Sequence, residues 1–436
     1  MINGDDPVRN NPHRMVSSSA ETVYLERLGN GLIVAAKEMP WLQSAAFTIA
    51  IPAGCRFDPP GQRGLANFTC ELVSRGGGGL THRQFVDFME SQGCLYWADA
   101  SNSHTYFGGA LPADNVYTVL ERYAGLLLNP ALPQDQMDDS RRVCFQEIQA
   151  IEDDLPERVM IALRDLHYGE PDGWHAEGSM DSVEGIQWAD VERFYRQHYQ
   201  PTGAIIGVAG NIKWPELLNT MERLFGAWSS RTTPAVTSVA GRHGAMHLPF
   251  ESQQTHIGLA WPAITYRHPD YFLARAGIGI LSDGMSSRLF REVRERRGLC
   301  YAVSASCHTL RDSGCMVAYC GTTPAFAQES LDVMVEEIRR LKDGVTEEEL
   351  ARLKVQLRSH LIMKQESCRA IAGGLVGDVY HLDRARSLSE LSARIEGLTV
   401  GAVNRFWQDF EIGPFDLVNL GEHPLELRDG ISATTT

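Results

Sequence analysis

Three polar side chains that could carry chemistry stand together on one short predicted helix. Asn67, Cys70 and Glu71 lie within residues 64–76, where apolar residues recur at the helical spacing i, i+3, i+7 and a run of glycines ends the element. Asn67 and Glu71 are four residues apart and therefore share a helix face. A thiolate and a carboxylate can bind zinc, but an asparagine amide is a poor zinc ligand. The segment therefore offers an incomplete metal site or a lone thiol.

Cys70 is a candidate nucleophile for an unconventional hydrolase. Cysteine–histidine catalysis needs an imidazole beside the thiol. The sequence has no histidine between His13 and His82. We therefore rank a cysteine hydrolase last among the possible functions.

A second pair of residues has metal-ligand spacing. His243-x-x-x-His247 would place two imidazoles on one face of a helix. The surrounding segment lacks an adjacent acid and is flanked by Gly and Ala. Because such a pair is more often surface decoration than a zinc site, we expect no metal there.

The chain repeats one plan on either side of a linker. We predict the linker at residues 229–246, where Ser, Thr, Gly and Ala dominate without periodicity. We also predict a disordered tail at residues 1–20, one domain over residues 21–228 and a second over residues 247–430. The length of 436 residues suits two domains of roughly 200 residues each.

Each half contains the same series of two strands followed by two helices. In the first half the predicted elements are strands 93–101 and 105–111 and helices 114–128 and 133–153; in the second half they are strands 298–306 and 314–320 and helices 325–342 and 346–366. Thr346-x-x-Glu349 has the form of a capping box, which supports the start of the last helix. Strands and helices that occur in blocks predict the α+β fold class. We therefore expect two similar domains, each a mainly antiparallel sheet with helices packed on one face.

The segment Gly64-Leu-Ala-x-Phe-x-x-x-Leu72, with its glycine-rich stop, resembles the pitrilysin family of metallopeptidases, which includes the mitochondrial processing peptidase and the insulin-degrading enzyme. The family's helix carries the inverted motif His-x-x-Glu-His, with two zinc ligands and a general base. The three corresponding positions are Asn67, Cys70 and Glu71, and all three are substituted. The resemblance extends from about Leu25 to Leu420 and implies the family's fold without its metal chemistry.

The family's third zinc ligand is a glutamate 76 residues after the second histidine. That count from Glu71 leads to Glu147. Glu147 lies on the apolar stripe of its helix, so we expect it to be partly buried and to need a partner. We expect it to accept a hydrogen bond from Asn67 or from a backbone amide. The alternative is that Cys70, Glu71 and Glu147 together hold a soft ion weakly.

The closest match to the family lies at residues 283–301 of the second half. Family members carry there an arginine and, seven residues later, a tyrosine that bind carbonyl groups of the substrate peptide. The resemblance assigns these substrate-binding roles to Arg294 and Tyr301. The alternative is that Arg294 belongs to a solvated basic helix face and that Tyr301 is an ordinary strand residue.

Family enzymes enclose a chamber with four such domains, from one chain or from two. In two-chain versions one subunit carries the zinc and the other supplies the arginine and the tyrosine. The resemblance therefore implies a non-catalytic subunit that binds peptide, contains no cofactor of its own, and pairs with a homologous catalytic subunit bearing zinc on an intact His-x-x-Glu-His motif. The alternative is a structural or peptide-binding homodimer without a peptidase role.

Composition restricts the partners and the compartment. A formal net charge of −15 argues against nucleic acid and against an anionic membrane as partners. Nine cysteines without Cys-x-x-Cys spacing predict free thiols in a reducing compartment. The sequence shows neither an apolar secretory segment nor a stretch of roughly 18 apolar residues that could span a membrane. We expect a cytoplasmic protein, or a periplasmic one if a signal peptide has been trimmed.

Overall fold

The computed structural model describes residues 22–231 and 236–428. The predicted tail at residues 1–20 and the last residues of the second predicted domain lie outside this range. The described residues form two halves, each built on one sheet, and the predicted α+β class is confirmed. None of the described helices is long and apolar enough to cross a membrane.

The first half runs from β1 to α8. Its strands are β1 (Val23–Arg27), β2 (Ile33–Glu38), β3 (Ser44–Ile51), β4 (Gly76–Gly77), β5 (Leu80–Thr81), β6 (Leu95–Ala100), β7 (Thr105–Pro112) and β8 (Ile205–Gly210). Its helices are α1 (Leu65–Val73), α2 (His82–Ser91), α3 (Val116–Leu128), α4 (Met137–Asp153), α5 (Leu155–Tyr168), α6 (Met180–Glu184), α7 (Trp188–His198) and α8 (Trp214–Phe225).

The second half runs from β9 to β13. Its strands are β9 (Ala245–Pro249), β10 (Thr255–Pro262), β11 (Cys300–Thr309), β12 (Gly314–Thr322) and β13 (Asp416–Gly421). Its α-helices are α9 (Tyr271–Ser282), α10 (Ala327–Arg339), α11 (Glu347–Gln365), α12 (Cys368–Leu382), α13 (Leu388–Glu396) and α14 (Val400–Asp409). A π-helix, Phe290–Arg296, precedes β11.

The two main sheets are largely antiparallel. The strand order is β1-β2-β8-β3-β7-β6 in the first half and β11-β12-β10-β13-β9 in the second. Only the pairs β2–β8 and β9–β13 are parallel among the described strands. The hairpins β6–β7 and β11–β12 therefore occupy equivalent edges, which is the repetition that the sequence predicted. Strands β6 and β11 are edge strands and pair with one neighbour each.

Helices of the same half cover one face of each sheet, as expected. In the first half, Phe47 of β3 makes an edge-to-face contact with Tyr123 of α3 at 5.0 Å between ring centroids, and both side chains are fully buried. In the second half, Trp261 of β10 and Trp407 of α14 are fully buried in one apolar cluster. Large side chains that leave the solvent in this way contribute roughly 1.5–3 kcal/mol each.

The opposite face of each sheet is covered by a helix that comes from the other half. Helix α12 packs Ala372 and Val376 onto the first sheet, against residues such as Ala46 of β3. Helix α5 packs Val159 and Leu163 onto the second sheet. The prediction of helices on one face did not include this exchange. Strands β3 and β8 are nonetheless buried almost without interruption, as strands covered on both faces are.

The linker region is held along the surface where the structure describes it. Ser238 donates a hydrogen bond to Asp172 at 2.6 Å, and the Val239 amide donates one to the Glu170 carbonyl at 2.7 Å. Strand β9 begins at Ala245, before the predicted end of the linker. Residues 236–244 therefore follow a defined path between the halves.

Candidate functional site

Helix α1 is positioned by a carboxylate that the sequence analysis did not single out. The two oxygens of Asp58 accept hydrogen bonds from the backbone amides of Gly64 and Ala66, each at 2.8 Å. Gly64 has φ +98°, a left-handed conformation that glycine adopts without strain. The carboxylate satisfies amides at the helix start that have no partner within the helix. The Asp-Pro-Pro-Gly turn at residues 58–61 is the signal that could have identified this cap.

The predicted apolar stripe of α1 is confirmed. Leu65, Phe68 and Leu72 are all buried in the first-half core. Asn67 and Glu71 lie on a different face and are half-buried. Burial of the stripe therefore orients the motif positions away from the core.

Asn67 and Glu147 meet as the sequence suggested. The Asn67 amide donates from Nδ2 to Glu147 Oε2 at 2.7 Å, linking α1 to α4. The expectation that Glu147 is partly buried is wrong, because its side chain is exposed on the outer face of α4. Loss of hydration against nearby protein atoms raises the pKa of Glu147, the Asn67 hydrogen bond opposes this, and the charge of Glu177 raises it further.

Glu71 is already engaged by a cation. Arg75, one turn later on the chain, donates to Glu71 Oε1 from Nη2 at 2.7 Å and from Nε at 2.9 Å. Both side chains are mostly shielded from solvent, with exposed fractions of 14% and 24%. A metal that used Glu71 as a ligand would have to displace this guanidinium.

Cys70 is unsuited to either chemistry that its type suggested. It is 4% exposed and belongs to the core of the first half. Burial raises the pKa of its thiol well above the usual value, and the negative charges of Asp99 and Glu71 raise it further. The thiol therefore stays protonated and inaccessible, whereas the thiolate is the form that attacks substrates and binds metals.

The residues at the motif positions do not fit a catalytic zinc ion. In the described part of the chain, the three motif residues and Glu147 do not form a group of converging metal-ligand atoms. An amide, a buried thiol and a carboxylate occupied by arginine replace the two imidazoles and the base that metal-assisted hydrolysis requires. The alternative of a soft ion held by Cys70, Glu71 and Glu147 lacks a geometric basis.

Two further carboxylates lie near the motif and were missed from the sequence. Burial raises the pKa of Asp99, and the charge of Glu177 adds to this effect. Burial alone would also raise the pKa of Glu177, but the hydrogen bond from His175 at 3.2 Å helps to lower it below its ordinary value. The surroundings of Glu147 are therefore acidic.

Arg294 lies on the π-helix and is exposed. Its guanidinium lies over the Phe290 ring, 5.0 Å from the centroid, and makes no hydrogen bond or ion pair with the residues that the structure describes. Neighbouring arginines differ, since Arg296 pairs with Glu292 at 2.7 Å. A π-helical turn is rare and occurs frequently at functional sites. The sequence predicted a helix here but not its wider turn.

Tyr301 sits at a β-bulge near the start of β11. The register between β11 and β12 shifts between Cys300 and Ala302, so Tyr301 has no opposite residue. Bulges of this kind change the direction of a side chain. The Tyr301 hydroxyl donates to Gln254 Oε1 at 2.7 Å, and the side chain is 43% exposed. Its ring end lies over Gly321, where an added Cβ would come within 2.4 Å of the hydroxyl oxygen.

Burial raises the pKa of Tyr301, although a hydrogen bond with Tyr319 partly opposes this. The hydroxyl therefore remains protonated at neutral pH and can donate. It is a hydrogen-bond donor on an edge strand, in the same half as an unpaired guanidinium.

The histidine pair of the linker does not act as a unit. His247 lies on β9 and its Nδ1 is 3.0 Å from Asn419 Nδ2. His243 precedes the strand and its Nδ1 is 3.0 Å from Asp416 Oδ2. The helix that would bring the two imidazoles together is not formed. The expectation of surface decoration is nevertheless wrong for His243, which contacts a buried carboxylate.

Two repeated α+β halves, with a motif helix opposite a glutamate-bearing helix, define the class of inverted zinc peptidases, here without their ligands. A model described as "Insulinase (Peptidase family M16)" matches residues 33–171, and a model described as "Peptidase M16 inactive domain" matches residues 185–357. The chain belongs to this pitrilysin-type family, and it is of an inactive type.

Relatives of known sequence carry the same family name. An uncharacterized zinc protease of Rickettsia bellii is 27% identical over 356 residues, covering 79% of this chain and 84% of that protein. An uncharacterized zinc protease of Streptomyces coelicolor is 24% identical over 400 residues, covering 89% and 87%.

Solved structures show the same fold. The peptidase M16 inactive domain from Pseudomonas fluorescens has a TM-score of 0.84 at 20% identity, covering 93% of this chain and 100% of that one. A protease from Helicobacter pylori has a TM-score of 0.83 at 20% identity, covering 92% and 99%.

Proposed function

We propose that this chain is the non-catalytic subunit of a heterodimeric zinc peptidase, forming half of the chamber and binding substrate peptide for a catalytic partner. The observation that carries the proposal is the contrast between the two halves. The motif helix α1 has lost every metal ligand, whereas Arg294 in the second half is exposed and has no ion pair with the described residues. One function has been removed and the other retained.

Hydrolysis needs a metal and a base that this chain does not supply. The proposed partner is a homologous subunit with an intact His-x-x-Glu-His motif, which would hold zinc and activate water there. We therefore assign the cofactor to the partner. This chain would contribute shape and hydrogen-bond donors.

The position of Tyr301 supports a role in holding an extended peptide. Strand β11 is the edge of its sheet, and an edge strand offers unpaired amides and carbonyls to which a peptide can add. An extended peptide also presents carbonyl oxygens that need donors. The guanidinium of Arg294 offers several donors in a planar fork, and the Tyr301 hydroxyl offers one more in exchange for its bond to Gln254.

The cysteines favour a cytoplasmic location for the proposed complex. None of the nine cysteines, all within the described residues, forms a disulfide, and all but Cys307 are buried. Free buried thiols suit a reducing compartment. A negative net charge also fits a chamber for peptides better than a surface for nucleic acid.

The test is peptide hydrolysis by the reconstituted complex. Candidate partners are identified by affinity purification of this chain from its native host and sequencing of the co-purifying chains. Arg294→Ala and Tyr301→Phe are then assembled with the wild-type partner, with assembly checked by size-exclusion chromatography. We expect turnover to fall on the order of ten- to hundredfold for each variant, since a lost donor near the reacting carbonyl has that effect.

Arg296→Ala is the matched control, because this arginine lies on the same π-helix but its guanidinium is paired with Glu292. It should leave turnover unchanged. Full activity of an assembled Arg294→Ala, Tyr301→Phe double variant would contradict the peptide-binding role. Recovery of this chain only as a homodimer would instead favour the structural alternative.

A further inference from the structure

Two histidines and one aspartate converge where the two halves meet. His167 Nδ1 lies 2.7 Å from Asp416 Oδ2, and His243 Nδ1 lies 3.0 Å from the same oxygen. The three ligand-type atoms all lie within 4.8 Å of one another. His167 belongs to the exchanged helix α5, His243 to the linker and Asp416 to β13. Their separation in sequence hid this group from the motif analysis.

The aspartate at the centre is buried and ionised. Asp416 is 2% exposed, and its second oxygen accepts a hydrogen bond from the Gly244 amide at 2.7 Å. Burial alone would raise the pKa of Asp416, but the hydrogen bonds from His167, His243 and Gly244 outweigh it and hold the pKa below the ordinary value. A buried carboxylate of this kind needs a compensating positive charge.

We propose that His167, His243 and Asp416 form a binding site for a divalent transition-metal ion, with zinc as the expected occupant. Two imidazole nitrogens and one carboxylate oxygen are ligands that zinc accepts, and a water molecule would complete the tetrahedron. His243 is exposed at the surface, with 54% of its side chain accessible, so a metal and a water ligand can reach the site. This site is separate from the degenerate motif of α1.

The orientation of the two imidazoles suits coordination. Their ring planes are 87° apart and their centroids 5.6 Å apart, and in both rings it is Nδ1 that faces the carboxylate. Zinc at about 2.0–2.1 Å from each nitrogen would require only a small inward movement of the ligands. His243 has φ +51°, a left-handed conformation that is uncommon for a residue other than glycine. The backbone is therefore held in an unfavourable conformation that brings this imidazole to Asp416.

A metal ion at this position would join three separate parts of the fold. It would connect α5 of the first half, the linker, and β13 of the second half through one centre. Since α5 covers one face of the second sheet, the ion would hold the exchanged helix in place. The sequence analysis expected no cofactor in this chain, and the proposal departs from that expectation at a different place from the zinc motif.

The test uses the tag-free, metal-free full chain. Isothermal titration calorimetry with zinc should show one site per chain, and Tm should rise by a few degrees when zinc exceeds its Kd about 100-fold. His243→Ala should reduce zinc affinity at least tenfold and remove the Tm shift. His247→Ala is the matched control, since this histidine lies four residues away and contacts Asn419 instead; it should bind zinc as the wild type does.

X-ray absorption on the zinc-loaded wild type gives an independent readout that does not depend on any variant. Two imidazole ligands and one carboxylate in the first coordination sphere are expected. Absence of saturable zinc binding, or equal binding by wild type and His243→Ala, would overturn the proposal and leave the cluster as a hydrogen-bonded anchor of the linker. Neither outcome would affect the proposed role of Arg294 and Tyr301, which is tested by hydrolysis in the assembled complex.

Discussion

Asn67 donates a hydrogen bond to Glu147 at 2.7 Å, so α1 and α4 are joined at two positions where catalytic relatives of the family hold zinc. The amide takes the place of a metal bridge between the same two helices. It satisfies the carboxylate without adding charge. This contact explains how the fold keeps the two helices together after the loss of both imidazoles.

We expect Asn67→Ala to destabilise the protein at neutral pH but hardly at acidic pH. The Asn67 hydrogen bond lowers the pKa of Glu147, so its removal raises that pKa further above the ordinary value. A raised carboxyl pKa means stability that is present at low pH and lost as pH rises through the folded-state pKa. The loss should be below ~1 kcal/mol because Glu147 is exposed to water.

The measurement is urea denaturation at pH 7 and below about pH 4, where a glutamate is mostly protonated. The control is the same substitution in a Glu147→Gln background, in which the difference between the two pH values should disappear. An equal loss at both pH values in the wild-type background would show that the Asn67 amide acts through packing instead of through the Glu147 charge.

We also expect the zinc motif to be recoverable. The triple change Asn67→His, Cys70→Glu and Glu71→His should create a zinc site that uses Glu147 as its third ligand, because residues 67 and 71 share a helix face and already lie beside α4. Elemental analysis should show about one added zinc per chain, although affinity should be about 10–100-fold below that of an evolved site whose outer hydrogen bonds are intact.

The experiment is best performed in a His243→Ala background, so that the proposed linker site does not contribute. Adding Glu147→Gln to the triple variant should abolish the zinc uptake. Equal uptake with and without Glu147 would mean that the count of 76 residues from Glu71 to Glu147 is a coincidence.

The third expectation concerns the exchanged helix α12. Gly207 of β8 allows this helix to approach the first sheet, because an added Cβ would come within 2.4 Å of the Ala372 carbonyl oxygen and 2.9 Å of Val376 Cγ2. Backbone cannot yield as a side chain can, so Gly207→Ala should cost about 1–3 kcal/mol of unfolding free energy. Denaturation with urea measures the change.

Gly373→Ala, on α12 itself, is the matched control for Gly207→Ala. Its Cβ would meet nothing closer than 4.0 Å, and alanine favours the helix. It should therefore be neutral or stabilising by up to about 1 kcal/mol. Similar losses from both substitutions would show that close packing of α12 on the first sheet is not the cause.

The amino-acid sequence determined the features that depend on neighbours along the chain. The stripe of Leu65, Phe68 and Leu72 defined α1, and Thr346 with Glu349 defined the start of α11, where the capping hydrogen bonds are present at 2.8 and 3.2 Å. Periods of 3.6 and 2 residues are local, so they can be read without coordinates. The motif positions and Glu147 followed from the same local match.

Only the tertiary structure decided which helix covers the second face of each sheet and which side chains meet between the halves. Apolar residues on α5 and α12 show that these helices are buried, but not in which half, since burial of apolar surface has no direction. His167, His243 and Asp416 converge for the same reason, because their contacts depend on the packing of α5 onto the second sheet. The bulge at Tyr301 depends on pairing with β12, a partner that the spacing of residues around it does not encode.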